Sequence, residues 1–168
     1  EEKELIWKRR RPNDYFINTA VVPNNYSKKF ATFNLGSKFG EPTAHVDEYG
    51  INIANKNKFK IKVKATKAKD ICSIICNNPK WNDAKWRILD IDVEGLDYEI
   101  LKSLDLEKLK PDIIAIESFP PADLNFQLKI EYHLKDNLIV KHLKKIGYSL
   151  QSICGPTLIF IRIKSKKY

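Results

Sequence analysis

The 168-residue sequence predicts an α/β fold, a mostly parallel sheet that closes on an antiparallel C-terminal hairpin. Three observations carry that expectation. Strand-like and helix-like patterns alternate through the second half, as layered α/β sheets require. Residues Ile88–Val93 and Asp112–Glu117 are almost unbroken apolar runs, which suits parallel strands covered on both faces. Two β-rich segments, Tyr148–Ile153 and Thr157–Ile163, flank Cys154-Gly155-Pro156, a composition that makes a tight turn.

Taken in order, residues 1–9 have the character of the last turns of a helix, stopped by Pro12. Tyr15–Val22 is rich in β-formers and ends at Pro23-Asn24-Asn25, which predicts a strand and a turn. Phe30–Leu35 is a second short strand, followed by a loop over Gly36–Gly40. Residues 41–57 are polar and weakly patterned. Phe59–Ala65 alternates lysines with apolar residues, the pattern of a strand with one wet face. Lys67–Asn77 reads as a short helix with Ile71, Cys72, Ile74 and Ile75 inward, broken by Asn77-Asn78-Pro79. After the buried strand Ile88–Val93, apolar Leu96, Ile100, Leu101 and Leu104 recur at helical spacing. Pro111 closes the connector to the next apolar strand. An irregular loop of roughly a dozen residues is expected from Phe119-Pro120-Pro121 onward, long enough to suggest a functional role. A helix over 133–146 places Leu138, Ile139, Leu143 and Ile146 inward and stops at Gly147.

Composition narrows the class. Apolar content of 43% and charged content of 30% are ordinary for a globular protein, and 168 residues suit one domain, 1–168. No apolar run reaches the roughly 18–20 residues of a membrane helix, and the first dozen residues lack a secretory signal. The chain opens on Glu1 and contains no methionine, so a piece of a longer protein is expected. Net charge is +9 and the isoelectric point near 9.4, which raises the question of nucleic acid. The basic residues are dispersed, in Lys8–Arg11, Lys56–Lys69 and Lys164–Lys167, with no RNA-binding or zinc pattern between them. No nucleic-acid partner is expected; an acidic substrate or membrane surface fits the charge about as well. Three cysteines (Cys72, Cys76 and Cys154) make no disulfide framework, which favours a reducing, cytoplasmic compartment. Cys72 and Cys76 share a helix face and read better as small buried hydrophobes than as metal or redox ligands.

The chemistry concentrates between residues 87 and 117. One apolar strand runs into Asp92, Glu94 and Asp97 around Gly95, and the next ends in Glu117. In open α/β sheets, ligands gather at the carboxyl ends of strands, so two adjacent strands that both finish in acids point to a site there. An acid that closes a buried strand is costly without a partner, which favours a functional Asp92. Asp90 shares its face. Asp97 reads better as a helix-capping acid, and Glu117 divides evenly between substrate contact and a satisfied strand-end acid. His45, His133 and His142 follow no catalytic spacing. Trp81 and Trp86 bracket the loop before the acidic strand, and anchoring that loop is their commoner role.

This order of elements resembles the FkbM-type methyltransferases. The likeness runs over about residues 10–163 and rests on several segments. Arg11-Pro12-Asn13-Asp14 leads into Asn18-Thr19-Ala20-Val21, Val63–Ile75 matches the stretch before the acidic strand, and Lys110-Pro111-Asp112-Ile113-Ile114 with Glu117 matches the strand after it. Ile91-Asp92-Val93-Glu94-Gly95 is the most recognisable part. The resemblance implies a Rossmann-like class I sheet of order 3-2-1-4-5-7-6 and S-adenosylmethionine as cofactor. It further implies O-methylation of a hydroxyl on a sugar, glycan or related small molecule.

By the same resemblance Asp92 is the catalytic carboxylate beside the cofactor and Glu94 its assistant. Ala20 lies near the adenine and Glu117 near the acceptor. A divalent cation held by Asp92 and Glu94 is the lesser alternative, since two acids make an incomplete site. One departure stands out. The family's Asp-x-Gly-x-x-x-Gly cofactor loop precedes the Arg-Pro segment, and here only Asn34–Gly40 has that glycine spacing, after it and without the Asp. The implied domain therefore lacks its first two strands. The matching third and fourth would then stand about 14 Å apart unless re-paired or filled by further chain. The rival reading is a non-catalytic α/β interaction module derived from a methyltransferase that has lost cofactor binding.

Overall fold

The computed structural model describes residues 2–35, 45–46, 59–93, 95–121 and 124–163. The chain divides into two compact units, Glu1–Lys67 and Ala68–Tyr168. Both mix helices with a four-stranded sheet, so the α/β class expected from the sequence holds.

The first unit contains α1 (Glu2–Arg10), β1 (Ala20–Val22), β2 (Phe30–Leu35), β3 (His45–Val46) and β4 (Phe59–Lys67), in sheet order β1-β4-β2-β3. β4 is central: it pairs parallel with β1 and antiparallel with β2. Its period of two is visible in burial, with Lys60, Lys62 and Lys64 exposed while Val63 and Ala65 pack on Val22, Tyr26 and Ala31. The strand expected over Tyr15–Val22 shrinks to its last three residues. The Thr19 amide turns back to the Ile17 carbonyl at 3.1 Å, and the Thr19 hydroxyl donates to the Lys64 carbonyl at 2.7 Å. Beyond Lys67 the partner strand becomes helix, so the parallel ladder has three rungs available and no more. The glycine-spaced segment of the sequence lies, from Gly36 to Gly40, outside the described residues.

The second unit runs α2 (Ala68–Cys76), α3 (Pro79–Asn82), β5 (Ile88–Ile91), α4 (Asp97–Ser103), α5 (Leu106–Leu109), β6 (Ile113–Glu117), α6 (Phe126–Lys135), α7 (Leu138–Lys145), β7 (Tyr148–Cys154) and β8 (Thr157–Arg162). Its sheet order is β5-β6-β8-β7. β5 and β6 are parallel, from Ile88 opposite Ile113 to Ile91 opposite Ile116. The closing hairpin inserts its second strand, so β8 lies antiparallel to both β6 and β7. Gly155 supplies φ +60° at the first turn position, which a two-residue hairpin loop of the mirror type demands. A bulge at Gln151, between Leu150 and Ser152, breaks the register of β7. Leu101, Ile114, Ile116, Val140, Leu143, Leu158 and Phe160 are buried and form the core of this unit. Burying each such side chain is worth about 1.5–3 kcal/mol, which makes the sheet a firm platform for the loops at its carboxyl edge.

Three expectations are corrected. Among the described pairings two are parallel and four antiparallel, so the sheets are not mostly parallel. The inserted β8 and the β2–β4 pair account for the difference. The single helix expected over 133–146 is two helices. Asn137 caps α7 by accepting from the Ile139 and Val140 amides at 2.9 and 3.2 Å, and α6 ends in the preceding turn. The irregular loop after Pro121 is shorter than expected, because Asn125 accepts from the Leu128 amide at 2.9 Å and starts α6 at Phe126.

Candidate active site at the carboxyl edge of two parallel strands

The parallel register of β5 and β6 decides which residues meet. Since Ile91 faces Ile116, the next residues along each strand, Asp92 and Glu117, leave the sheet at the same level on neighbouring strands. Neighbouring strands run about 4.8 Å apart, so two carboxylate-bearing residues arrive side by side from distant parts of the sequence. Asp92 is exposed and makes no hydrogen bond or ion pair with another described residue. Glu117 is half-buried at the last rung of β6, opposite Thr157. The adjoining Ser118 amide donates to the Pro156 carbonyl at 2.8 Å and ties this strand end to the hairpin turn.

The acid that is buried is Asp97, at 6% exposure. Its carboxylate accepts from the Val93 amide at 3.1 Å and from the Gly95 amide at 3.0 Å. Those two bonds fold the segment after Asp92 back over the start of α4, and Gly95 takes the turn with φ +97°, where a Cβ would be strained. This explains why β5 stops at Ile91, two residues short of the expected end. It also moves the burial-cost argument: the costly acid is the loop brace Asp97, while Asp92 stands in solvent at the tip of the braced strand. Glu94 lies outside the described residues. Ala20 belongs to the first unit, where it is buried with Val22 and Tyr26 and paired with Ala65.

A second polar group sits at the end of β6 and escapes a reading based on spacing. Asn137 donates to the Ser118 hydroxyl at 2.7 Å and lies 3.0 Å from His133 Nδ1. His133 and Asn137 are each 2% exposed, and burial holds the imidazole below its ordinary pKa. The signal in the sequence was slight. His133 and Asn137 are four residues apart across a helix break, and an Asn before an apolar run is an N-cap pattern.

Other expected roles sort as follows. Trp81 anchors its loop, its indole donating to the Leu109 carbonyl at 3.1 Å, whereas Trp86 is exposed. Cys72 is buried, its thiol bonded to the Asp105 carbonyl at 3.7 Å, and burial pushes that thiol above its usual range. His142 is half-buried against Tyr98, edge to face at 6.2 Å. Among the described residues no group of three or more His, Cys, Asp or Glu gathers to hold a metal ion, and no helix is long and apolar enough to cross a membrane. A groove of about 470 Å³ lies at the far edge of the sheet, between α6 and β7, and none of the predicted site residues lines it.

A comparison with protein families matches residues 9–150 to the Methyltransferase FkbM domain. No curated protein and no solved structure gives a significant match.

Proposed function

Because the chain belongs to the FkbM methyltransferase domain family, we propose that it is an S-adenosylmethionine-dependent O-methyltransferase acting on a hydroxyl of a sugar, glycan or related small molecule. The observation that carries this reading is that Asp92 and Glu117 directly follow the paired Ile91 and Ile116 at the carboxyl ends of neighbouring parallel strands, in the sheet order β5-β6-β8-β7. That order corresponds to the 4-5-7-6 half of the Rossmann-like sheet of class I methyltransferases. It supports equating β5 and β6 with the strands that border the cofactor.

The described residues fit the cofactor in kind. Its sulfonium is positive and its ribose carries hydroxyls, and an exposed carboxylate without a partner among the described residues suits either. Asp92 would hold it from β5. When bound, S-adenosylmethionine supplies an electrophilic methyl group, so that transfer forms a carbon–oxygen bond, breaks the carbon–sulfur bond and releases the hydroxyl proton. Asp92 accepts that proton, with Glu94 as a second acceptor. Glu117 receives a hydrogen bond from a neighbouring hydroxyl of the acceptor and fixes which oxygen faces Asp92. The Asp97 brace keeps the Asp92 backbone in one place throughout.

Isothermal titration with S-adenosylhomocysteine, followed by methyl-transfer assays on a panel of sugar hydroxyls, tests the proposal. Saturable binding and labelled product are expected. A folded protein that gives no heat and no product would sink it and favour the non-catalytic module.

A further inference from the structure

The buried chain Ser118–Asn137–His133 permits only one arrangement of protons. Asn137 Oδ1 accepts from two backbone amides, Ile139 and Val140, at the start of α7. Amides cannot accept, so that atom is the oxygen, and the side-chain nitrogen is the atom that faces Ser118 Oγ and His133 Nδ1. Its two hydrogens serve two acceptors, at 2.7 and 3.0 Å. His133 Nδ1 is therefore bare and the ring proton sits on Nε2. The Ser118 oxygen receives a hydrogen bond from Asn137, and its own hydrogen is left to point elsewhere. Ser118 is half-buried and directly follows Glu117, at the edge where Asp92 also emerges.

We propose that Asn137 is a positioning residue that presents the Ser118 hydroxyl as a hydrogen-bond donor to the acceptor oxygen of the methyl-transfer site. This rests on the methyltransferase reading and adds a partner that the carboxylates cannot provide. An attacking hydroxyl gives its proton to a carboxylate and one lone pair to the methyl carbon. Its remaining lone pair can accept a hydrogen bond, and a carboxylate that takes up the proton has none to donate. Ser118 fills that role, and Asn137 keeps it from turning inward. Burial of His133 in its neutral form agrees with a donor facing Nδ1.

The test begins with the unaltered protein. Long-range proton–nitrogen NMR of the histidine rings should show His133 protonated at Nε2 with Nδ1 bare. A proton on Nδ1 overturns the arrangement. In Asn137→Asp the atom facing His133 can only accept, so the ring proton should move to Nδ1; an unchanged spectrum in the folded variant refutes Asn137 as the donor. In Ser118→Ala, methyl transfer should fall on the order of ten- to a hundred-fold, with affinity for S-adenosylhomocysteine kept within about two-fold, and Ser118→Thr should restore most of the rate. Full activity in Ser118→Ala removes Ser118 from the site. If the wild type transfers no methyl group, the methyltransferase reading and the role of Ser118 fall together, while the histidine spectrum still decides the orientation of Asn137.

Discussion

Asp92 and Asp97 are five residues apart and have opposite physical situations. Asp92 is exposed and free of described partners, so removing its charge takes nothing from the fold. Asp92→Asn should leave the unfolding free energy within about 0.5 kcal/mol of the wild type. On the reading of Asp92 as proton acceptor, turnover should drop about 10²–10⁴-fold. Undiminished turnover in a folded variant would exclude it. Asp97 is the reverse case. Its carboxylate satisfies the Val93 and Gly95 amides inside the protein. Asp97→Ala strands both donors and should cost about 1–3 kcal/mol in chemical denaturation. Asp97→Asn keeps one accepting oxygen and should recover part of that loss.

At the scale of elements, α6 and α7 start with the same device in different surroundings. Asn125 is an exposed cap that accepts one amide, whereas Asn137 is a buried cap that accepts two and donates to Ser118 and His133. Asn125→Ala should cost about 1 kcal/mol, the ordinary value of a cap. Asn137→Ala removes the cap and leaves buried polar partners unsatisfied, so about 2–4 kcal/mol is expected. Equal losses in paired denaturation curves would show that the buried chain adds nothing to the cap. The hairpin is the other element that shapes the edge. By placing β8 between β6 and β7, it brings Pro156 to the Ser118 amide and closes off the end of β6.

The whole chain carries +9, yet its stability profile should follow buried His133 and half-buried His142 more than the exposed lysines. Burial lowers the pKa of His133 below its ordinary 6.5, and burial followed by repulsion from Lys102 and Lys145 does the same for His142. Below pH 6.5 the unfolded chain binds protons that the folded chain refuses, so stability falls with pH. The contribution is fully present above about pH 6.5 and is lost as pH drops through the lowered folded values. Denaturation midpoints measured from pH 7.5 down to 5 should hold to about pH 6.5 and decline below it, with m-values unchanged. A flat profile would mean that neither imidazole is held neutral by the fold.

The alternation of strands and helices, the apolar strands and the acids at their ends were legible in the sequence, because periods of two and of 3.6 are local properties of a chain that must bury one face; the short α3 and α5 and the break between α6 and α7 were not. The acidic pentapeptide around Asp92 and Glu94 carried the family with it. Which strands pair was not legible in the periodicity; the place of β8 between β6 and β7 was implied by the family resemblance alone. Only tertiary contact decided that β4 joins β1 to β2 and that Asp92 and Glu117 end level. The same holds for the division of labour among acids and polar side chains. Asp92, Asp97, Ser118 and Asn137 differ in the direction and burial of their polar atoms, and those are set by neighbours far away in sequence.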